Sequence, residues 1–313
     1  MEKIDIPYRL LETGIKATSL IGPGGTGKSE IIKELCQRQR PGSVLVCAPT
    51  REALNNIKSL IQKNDGNRKH VDKVTYDKRQ KYKTVAYITG AYHDSDGWKR
   101  CEIKREKRLS HIMGGVRTMI VDESSMVCSE QAESIIETVK KYGLHLICVG
   151  DACQLPPVKE SSSLLFIPEF YKHHLGFVQE TITLTKIHRQ QSEGNYNEVI
   201  YQVREWLLSL EGRVCLKKRL ESIPDDNTFS RAYSIDILDK ESSVILCYTN
   251  SAVNHYARNG FNAITVHKAQ GKSYGHVIID VYDIAKSQQD FGRLVYTAVS
   301  RARKELTFLY HKI

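Results

Sequence analysis

A glycine-rich stretch that ends in a lysine and a serine is the first part of this sequence that could do chemistry. It reads GPGGTGKS from Gly22 to Ser29, with the spacing Gly-x-x-x-x-Gly-Lys-Ser. Glycines let successive backbone N–H groups point inward around a phosphate, a lysine reaches the outer phosphates, and a serine hydroxyl can ligate magnesium. The pattern predicts a site for a nucleoside triphosphate and Mg²⁺; the alternative is a glycine-rich turn without a ligand. The predicted phosphate-binding residues are Gly22, Gly24, Gly25, Thr26, Gly27, Lys28 and Ser29.

An acidic pair supplies a second set of reactive groups. Asp122 and Glu123 directly follow an apolar run that ends at Val121. A carboxylate at a strand end can hold the magnesium shell, and a neighbouring one can polarise an attacking water. We predict the first role for Asp122 and the second for Glu123. A surface acidic pair, the alternative, fits poorly with the apolar residues that precede it.

Gln154 is a third candidate. It comes shortly after the apolar run Leu144–Val149 and directly before Leu155, Pro156 and Pro157. Two prolines prevent a helix or a strand ladder from continuing. We therefore predict that Gln154 lies on a rigid loop, where a neutral amide can sense a γ-phosphate. The alternative is an ordinary turn between a strand and a helix.

Apolar runs typical of buried parallel strands stand next to these candidates. Ala17–Ile21 precedes the glycine loop, a helix is predicted over Glu30–Gln37, and Ser43–Ala48 starts a second strand–loop–helix unit. Continuous apolar runs are typical of parallel sheets, whose ligands bind at the carboxyl ends of the strands. We therefore expect an α/β fold with a doubly wound parallel sheet, and Thr50 on its functional edge.

A second set of strands is predicted in the last third of the chain. Apolar runs occur at Ser243–Tyr248, Val277–Val281 and Glu305–Leu309, and a helix is predicted over Arg293–Arg303. Before them, Thr181–Arg189 alternates as a half-exposed strand does. This second set has no phosphate loop of its own. A chain of 313 residues suits two α/β domains better than one.

Composition and charge indicate which partners and which cellular compartment to expect for this protein. The net charge of +10 is typical of a protein that meets a polyanion. The sequence has no apolar run of about 18 residues and no signal-peptide core, so we expect no membrane partner. None of the 8 cysteines shows Cys-x-x-Cys spacing, which favours free thiols in a reducing compartment, the cytoplasm or the nucleus.

Most of the excess positive charge lies in one stretch. From Lys63 to Arg108 there are 14 Lys and Arg against 7 Asp and Glu. Aromatic residues are interleaved with these cations, namely Tyr76, Tyr82, Tyr87, Tyr92 and Trp98. Basic and aromatic side chains together can neutralise phosphates and stack bases, so we predict contact with single-stranded nucleic acid. A solvated surface insert is the alternative.

Taken together, the motifs resemble those of superfamily 1 helicases of the RecD/Pif1-like branch. Seven blocks occur in the family's order: GPGGTGKS at 22–29, APT at 48–50, VDESSM at 121–126, GDACQLPPV at 150–158, LTKIHRQ at 184–190, TVHKAQGKSY at 265–274 and YTAVSRARKEL at 296–306. The resemblance covers nearly the whole chain. It implies two tandem RecA-like parallel-sheet domains, 1–180 with a basic insert at 64–113 and then 181–313, with ATP in the cleft between them.

The resemblance also implies roles for single residues. The catalytic residues would be Lys28, Glu123, Gln154, Arg189 and Arg301, and the two arginines would act as arginine fingers on the transferring phosphoryl group. Gly271 would lie near the γ-phosphate, while Ser29 and Asp122 would hold Mg²⁺. The nucleic-acid track would include Thr50, Thr265, His267 and Lys268. The implied activity is that of an ATP-dependent 5′-to-3′ helicase or translocase on single-stranded DNA.

Several finer points stay open at this stage. No glutamine precedes Gln37, so a preference for adenine is not specified, and only about 14 residues separate Asn250 from Thr265, where this branch usually carries an insertion. The compact build is shared by superfamily 1 RNA helicases of positive-strand RNA viruses, the alternative within the class. A nucleic-acid-binding ATPase that switches without unwinding is the alternative outside it. A monomer, a member of a larger replication assembly and a piece of a longer polyprotein are all compatible with the sequence.

Overall fold

The computed structural model describes residues 17–63, 81–94, 97–185, 194–209, 213–287 and 289–310. The chain divides into two compact units. The first unit comprises Met1–Ala152 and Pro156–Ile187, and the second comprises Cys153–Leu155 and His188–Ile313. The short segment Cys153–Leu155 therefore groups with the second unit, although its neighbours in sequence belong to the first.

The first unit is built on a parallel sheet. Its described strands are β1 (Ala17–Ile21), β2 (Val44–Ala48), β3 (Lys81–Thr84), β4 (Ala91–Asp94), β5 (Gly97–Arg100), β6 (Thr118–Val121), β7 (His145–Gly150) and β8 (Glu180–Thr183). Six of them form one sheet in the order β3-β2-β6-β7-β1-β8, and each neighbouring pair is parallel. β4 and β5 form a separate antiparallel hairpin.

Helices cover both faces of this sheet. They are α1 (Lys28–Arg38), α2 (Arg51–Lys63), α3 (Val85–Thr89), α4 (Glu102–Ile112), α5 (Ser129–Tyr142) and α6 (Pro168–Leu175). Successive residues of a strand point to opposite faces, and the core follows that rule. In β2, Leu45 and Cys47 join one hydrophobic cluster, whereas Val44 and Val46 join the cluster on the other face. The apolar runs of the sequence thus reflect strands buried on both sides.

The basic stretch contributes partly to the main sheet. β3, which contains Tyr82, pairs in parallel with β2 as the edge strand. The hairpin β4–β5 and helix α4 follow β3 in the chain. The buried Arg105 of α4 joins that helix to α5. Its guanidinium donates to the Ser134 carbonyl at 2.9 Å and to the Thr138 hydroxyl at 2.8 Å. Tyr76 and the side chains of Tyr92 and Trp98 lie outside the described residues.

The second unit has its own five-stranded sheet. Its strands are β9 (Phe229–Ala232), β10 (Ser243–Cys247), β11 (Ala263–Thr265), β12 (Tyr274–Asp280) and β13 (Ala302–Leu309). They follow the order β11-β10-β12-β13-β9, and each neighbouring pair is parallel. The helices are α7 (Asn195–Leu208), α8 (Arg213–Glu221), α9 (Asn250–Arg258), α10 (Val266–Ala269), α11 (Val281–Ile284) and α12 (Phe291–Val299). The expected fold class, two parallel-sheet α/β units, is confirmed.

Two sequence predictions were wrong in detail. The helix predicted over Arg293–Arg303 ends at Val299, because the chain turns at Ser300 so that Ala302 can pair with Tyr274 of β12. The strand predicted from Thr181 to Arg189 extends only over Glu180–Thr183 within the described residues. Two further elements, α6 and β9, form in segments for which neither a helix nor a strand was predicted.

No helix among the described residues is long and apolar enough to cross a membrane.

Candidate nucleotide and nucleic-acid sites

The glycine loop leaves the carboxyl end of β1 inside the sheet, between β7 and β8. Its first residue fits only as glycine, since a Cβ on Gly22 would lie 2.6 Å from the Leu184 carbonyl oxygen. The backbone N–H of Gly22 donates to the Gly150 carbonyl at 3.2 Å, which fixes the loop to the end of β7. Gly27, at φ 86° and ψ 19°, is the left-handed residue from which α1 begins. The loop therefore has the tight turn that phosphate binding requires.

Lys28 is held at the mouth of this loop. Its ammonium group donates to the carbonyl oxygens of Gly22 at 2.6 Å and of Pro23 at 2.8 Å. The hydroxyl of the buried Thr26 donates to the same Pro23 carbonyl at 2.9 Å. The positive charge therefore sits over the loop, where a bound phosphate would meet it together with the partial positive charge of the α1 N-terminus. Ser29 follows within the first turn of α1.

The acidic pair follows β6 as predicted. The Asp122 N–H donates to the Cys47 carbonyl at 2.8 Å, so this residue still continues the β2–β6 pairing. Glu123 adopts φ 51° and ψ 41°, the left-handed region that residues other than glycine rarely occupy. The turn is secured by the Ser124 hydroxyl, which donates to the Val121 carbonyl at 2.7 Å. Backbone strain of this kind is concentrated at functional sites, because the surrounding structure must hold it.

Gly150 brings the glycine loop and the acidic turn together. Its carbonyl accepts from Gly22, and a Cβ at this position would lie 3.2 Å from the Ser124 nitrogen. Since β7 lies between β1 and β6, its end connects both turns at one edge of the sheet. Burial raises the pKa of the Asp122 carboxyl and the charge of Glu123 raises it further, whereas Lys28 works to lower it. Lys28 and Asp122 thus lie close enough for their charges to interact, while their roles toward phosphate and metal stay predictions.

The donor set suits magnesium bound with a nucleotide. Mg²⁺ usually takes one or two protein oxygens and fills its remaining positions with waters and substrate phosphates. The Ser29 hydroxyl and the Asp122 carboxylate are oxygen donors of this kind, and the described residues contain no cluster of three or more His, Cys, Asp or Glu that would form an all-protein metal cage. The residues therefore fit Mg²⁺ held jointly with a triphosphate.

Thr50 lies at the same carboxyl edge, after β2. Its hydroxyl accepts from the Ala53 N–H at 3.1 Å and so caps the start of α2. The role that the sequence resemblance implies, on a nucleic-acid track, stays a prediction.

Gln154 lies in the short segment Cys153–Leu155, which hydrogen-bonds to other residues of the second unit. The Gln154 carbonyl accepts from the Arg293 guanidinium at 3.3 Å. The next residue, Leu155, donates its N–H to the Thr297 hydroxyl at 3.1 Å and accepts from the Gln270 amide at 3.3 Å. Sequence reasoning missed these three partners, because they follow Gln154 by more than 110 residues, as the Gln270–Leu155 separation of 115 illustrates.

Arg301 contacts the segment that follows Gly271 within the second unit. The buried Arg301 guanidinium donates to the Lys272 carbonyl at 3.2 Å, directly after Gly271, and to the Thr297 carbonyl at 3.1 Å. The second contact satisfies a carbonyl of the last turn of α12. The structure thus places Arg301 against the residue next to Gly271, while the roles of both predicted site residues stay predictions. Arg189 lies outside the described residues.

The predicted nucleic-acid residues of the second unit follow β11. The Thr265 hydroxyl accepts from the Lys268 N–H at 3.3 Å and caps α10. His267 and Lys268 are exposed to solvent on one side. The protein atoms around the rest of the His267 ring partly exclude water, which lowers the pKa of His267, while Asp290 works to raise it. The His267 ring lies 6.4 Å from that of Tyr248, which follows the neighbouring strand β10.

A buried carboxylate that sequence reasoning missed supports the turn after β10. Asp283 of α11 accepts from the backbone N–H groups of Tyr248 at 2.7 Å and Thr249 at 2.8 Å. It also accepts from the Thr249 hydroxyl and from Lys286, each at 2.8 Å. Nothing in the local pattern VYDI marks this aspartate as a support for the turn, since Tyr248 and Thr249 precede it by 35 and 34 residues.

In the basic stretch, Tyr87 lies between two cations. The Lys83 ammonium is 4.7 Å and the Arg108 guanidinium 4.9 Å from its ring centroid. Cation–π contacts of this kind occupy the ring faces, so Tyr87 serves at least to order the two positive charges. Lys83 and Arg108 are therefore two ordered cations in the stretch for which nucleic-acid contact is predicted.

Comparison with known proteins agrees with this geometry. Residues 6–205 match the model of a family described as an AAA domain. Residues 260–309 match that of the UvrD-like helicase C-terminal domain. An uncharacterized protein of Acanthamoeba polyphaga mimivirus, R530, is 26% identical over 272 residues. That alignment covers 80% of this chain but only 52% of the mimivirus protein, so the chain spans about half of its relative's length.

Solved helicase structures share the fold. Pif1 helicase from Bacteroides, in complex with ADP-AlF3 and ssDNA, superposes with a TM-score of 0.62 at 16% identity, over 98% of this chain and 92% of that one. An arterivirus helicase, nonstructural protein 10, gives a TM-score of 0.54 at 18% identity, over 96% and 61% of the two chains. The chain belongs to the AAA domain family. Its C-terminal part matches the UvrD-like helicase C-terminal domain, and its fold is similar to that of the Pif1 helicase structures. The loop and the class together imply use of a nucleotide.

Proposed function

We propose that this protein is an ATP-dependent translocase and helicase that moves 5′ to 3′ along single-stranded DNA. The observation that carries the proposal is the edge of the first sheet at which Gly22, Gly150 and Ser124 adjoin. It sets a phosphate loop with its lysine beside an acidic turn. The direction of movement rests on the family resemblance.

Each group at this edge has a proposed task. The glycine loop and Lys28 bind the β- and γ-phosphates, and Ser29 with Asp122 holds Mg²⁺. When bound, that ion neutralises charge on the phosphates. Glu123, held in its strained turn, orients and polarises the water that attacks the γ-phosphate. Its carboxylate follows the end of a buried strand, a rigid base from which to position a water.

The proposed nucleic-acid track comprises Thr50 in the first unit and Thr265, His267 and Lys268 in the second. Contacts to phosphates contribute most of the affinity for nucleic acid in proteins of this kind. Binding of the single strand is therefore expected to weaken as salt increases and to depend little on the base sequence. DNA is proposed over RNA because the sequence blocks resemble the cellular DNA branch. Only residues 259–262 connect α9 to β11, so the second unit carries no insertion between these two elements.

Hydrolysis of ATP should be measured with single-stranded DNA, with single-stranded RNA of the same sequence and without nucleic acid, at two salt concentrations. We expect strong stimulation by DNA that falls as salt increases. Strand displacement on forked DNA with either a 5′ or a 3′ tail tests direction, and only the 5′-tailed fork should be unwound. Stimulation by RNA alone would assign the enzyme to RNA, and ATP hydrolysis unaffected by either would contradict the proposal.

A further inference from the structure

The carboxyl edge of the second sheet carries an aromatic side chain after every strand. Tyr233, Tyr248 and Tyr310 directly follow β9, β10 and β13. His267 and Tyr282 come two residues after β11 and β12. Because all five strands are parallel, these rings lie along one edge in the order His267, Tyr248, Tyr282, Tyr310, Tyr233.

The first sheet offers a direct contrast. Within two positions after each strand that the structure describes in its six-stranded sheet no aromatic residue occurs, and about half of these positions are glycine, proline, aspartate or glutamate. That edge is suited to phosphates. The corresponding edge of the second sheet is suited to flat apolar groups such as nucleobases, which stack on aromatic rings whatever their sequence.

These rings do not serve the core of the unit. Tyr233 is 69% exposed and Tyr282 is 50% exposed, while Tyr248 and Tyr310 are half-buried and His267 is exposed. Aromatic rings held at a surface without a packing role are typical of recognition sites.

The outer end of the edge is already arranged as a stack. The rings of Tyr233 and Tyr310 lie 5.7 Å apart with an angle of 24° between their planes. The Tyr310 N–H donates to the Ala232 carbonyl at 2.8 Å, which continues the β9–β13 pairing and keeps the two tyrosines side by side. A planar group placed on the exposed Tyr233 ring would extend this stack without any rearrangement of the backbone.

Charges near the outer end do not favour phosphate contacts. Arg231 is paired with Asp225 and also donates to the Ile223 carbonyl at 2.9 Å. Asp236 accepts from the Ser234 hydroxyl at 2.9 Å and keeps its negative charge at the surface. The rings, and not the charges, would therefore hold a ligand here.

Resting on the proposed function, we propose that Tyr282, Tyr310 and Tyr233 extend the single-strand track of His267 outward along the carboxyl edge of the second sheet by stacking on nucleobases. Neighbouring strands are about 4.8 Å apart, so the edge spans about 19 Å, enough for a few unstacked nucleotides. The outer segment adds affinity through stacking, with little dependence on salt.

The test measures binding of oligothymidylates of about 4 and about 16 nucleotides, a range that single-strand sites cover. Variants Tyr233→Ala and Tyr310→Ala are compared with the wild type and with Tyr201→Ala, which removes another solvent-accessible tyrosine, 52% exposed, from helix α7. We expect each edge variant to lose roughly fivefold or more in affinity for the long oligonucleotide. The short oligonucleotide, which can bind at the His267 end, and the slope of log affinity against log salt should be unchanged. The variants Tyr233→Phe and Tyr310→Phe, which keep the ring, should retain wild-type affinity.

Three results would overturn the inference, and each is distinguishable from failure of the proposed function. Affinities equal to those of Tyr201→Ala would show that the rings do not contact the strand, and would leave them as a surface for a protein partner. Equal losses for both lengths would indicate a local structural defect, and loss in the phenylalanine variants would exclude stacking. By contrast, a wild type that binds no single strand would overturn the proposed function itself.

Discussion

Asp283 provides the sharpest test of how the second unit holds its nucleic-acid edge. This carboxylate is buried, with 1% of its surface exposed, and accepts the N–H groups of Tyr248 and Thr249. In the variant Asp283→Ala both donors would be left without this partner. An orphaned buried donor costs about 1–3 kcal/mol, so the free energy of unfolding of the second unit should fall by about 2–6 kcal/mol.

The variant Asp283→Asn separates charge from shape. Its amide oxygen can still accept both N–H groups, so only the charge assistance is lost, about 1–2 kcal/mol. Lys286→Ala is the matched control, because its side chain is 58% exposed and its removal leaves both backbone N–H groups bonded to Asp283. The loss in the free energy of unfolding should therefore be largest for Asp283→Ala, smaller for Asp283→Asn and smallest for Lys286→Ala.

Urea unfolding followed by tryptophan fluorescence measures this ranking. The chain has 2 tryptophans, and Trp206 is the one in the second unit, so a Trp98→Phe background reports that unit alone. Half-saturation of the ATPase by single-stranded DNA should shift to higher concentration in Asp283→Ala, because the turn that holds Tyr248 loosens. An unfolding free energy within about 0.5 kcal/mol of the lysine control would refute the reasoning.

The same residue predicts a dependence on pH. Burial works to raise the pKa of Asp283, but hydrogen bonds from Lys286 and from Thr249 lower it below the ordinary value. A carboxyl with a lowered folded pKa stabilises the protein above its unfolded value of about 3.9, and the contribution is lost as pH falls through the folded value. The difference in stability between wild type and Asp283→Asn should therefore shrink below about pH 4. A difference that stays constant down to pH 2 would contradict this account.

The remaining predictions concern the first unit. Glu123→Gln should bind ATP normally but lose turnover by about a hundredfold or more, as seen by fluorescent-nucleotide binding beside steady-state hydrolysis. Gly22→Ala should lose nucleotide binding, since its Cβ would lie 2.6 Å from the Leu184 carbonyl, whereas an alanine at the unhindered Gly114 should not. Arg105→Met should increase hydrogen exchange in α4 by leaving its Thr138 and Ser134 contacts unmade, with basal ATP hydrolysis little changed.

Local patterns predicted the first unit well because its groups follow one another in sequence. Apolar run, glycine loop and helix are successive at Ala17–Arg38, and the run before Asp122 ends where β6 does. Such elements are recognisable because strand, turn and helix N-terminus each have their own residue preferences. The parallel sheet then places their turns at one edge, as its topology requires.

Pairing between strands far apart in sequence determined the element bounds that local sequence patterns could not predict. The helix before Arg301 stops early because Ala302 must pair with β12, a constraint that the helical spacing of Leu294 and Ala298 does not reveal. β9 became a strand by pairing with β13, although its segment shows little periodicity. The aromatic edge emerged only once the strand order was known, because its members are spread from Tyr233 to Tyr310.

One proposal underlies all the others, namely that the glycine loop is the nucleotide site of a nucleic-acid-stimulated ATPase. It is tested most directly by the rate of ATP hydrolysis with saturating single-stranded DNA in Lys28→Ala. The control is Lys33→Ala, a lysine on the same helix that pairs with Glu30 at 2.9 Å. The account predicts a loss of about a hundredfold or more for Lys28→Ala and near-normal rates for the control. Near-normal, DNA-stimulated turnover in Lys28→Ala would contradict it.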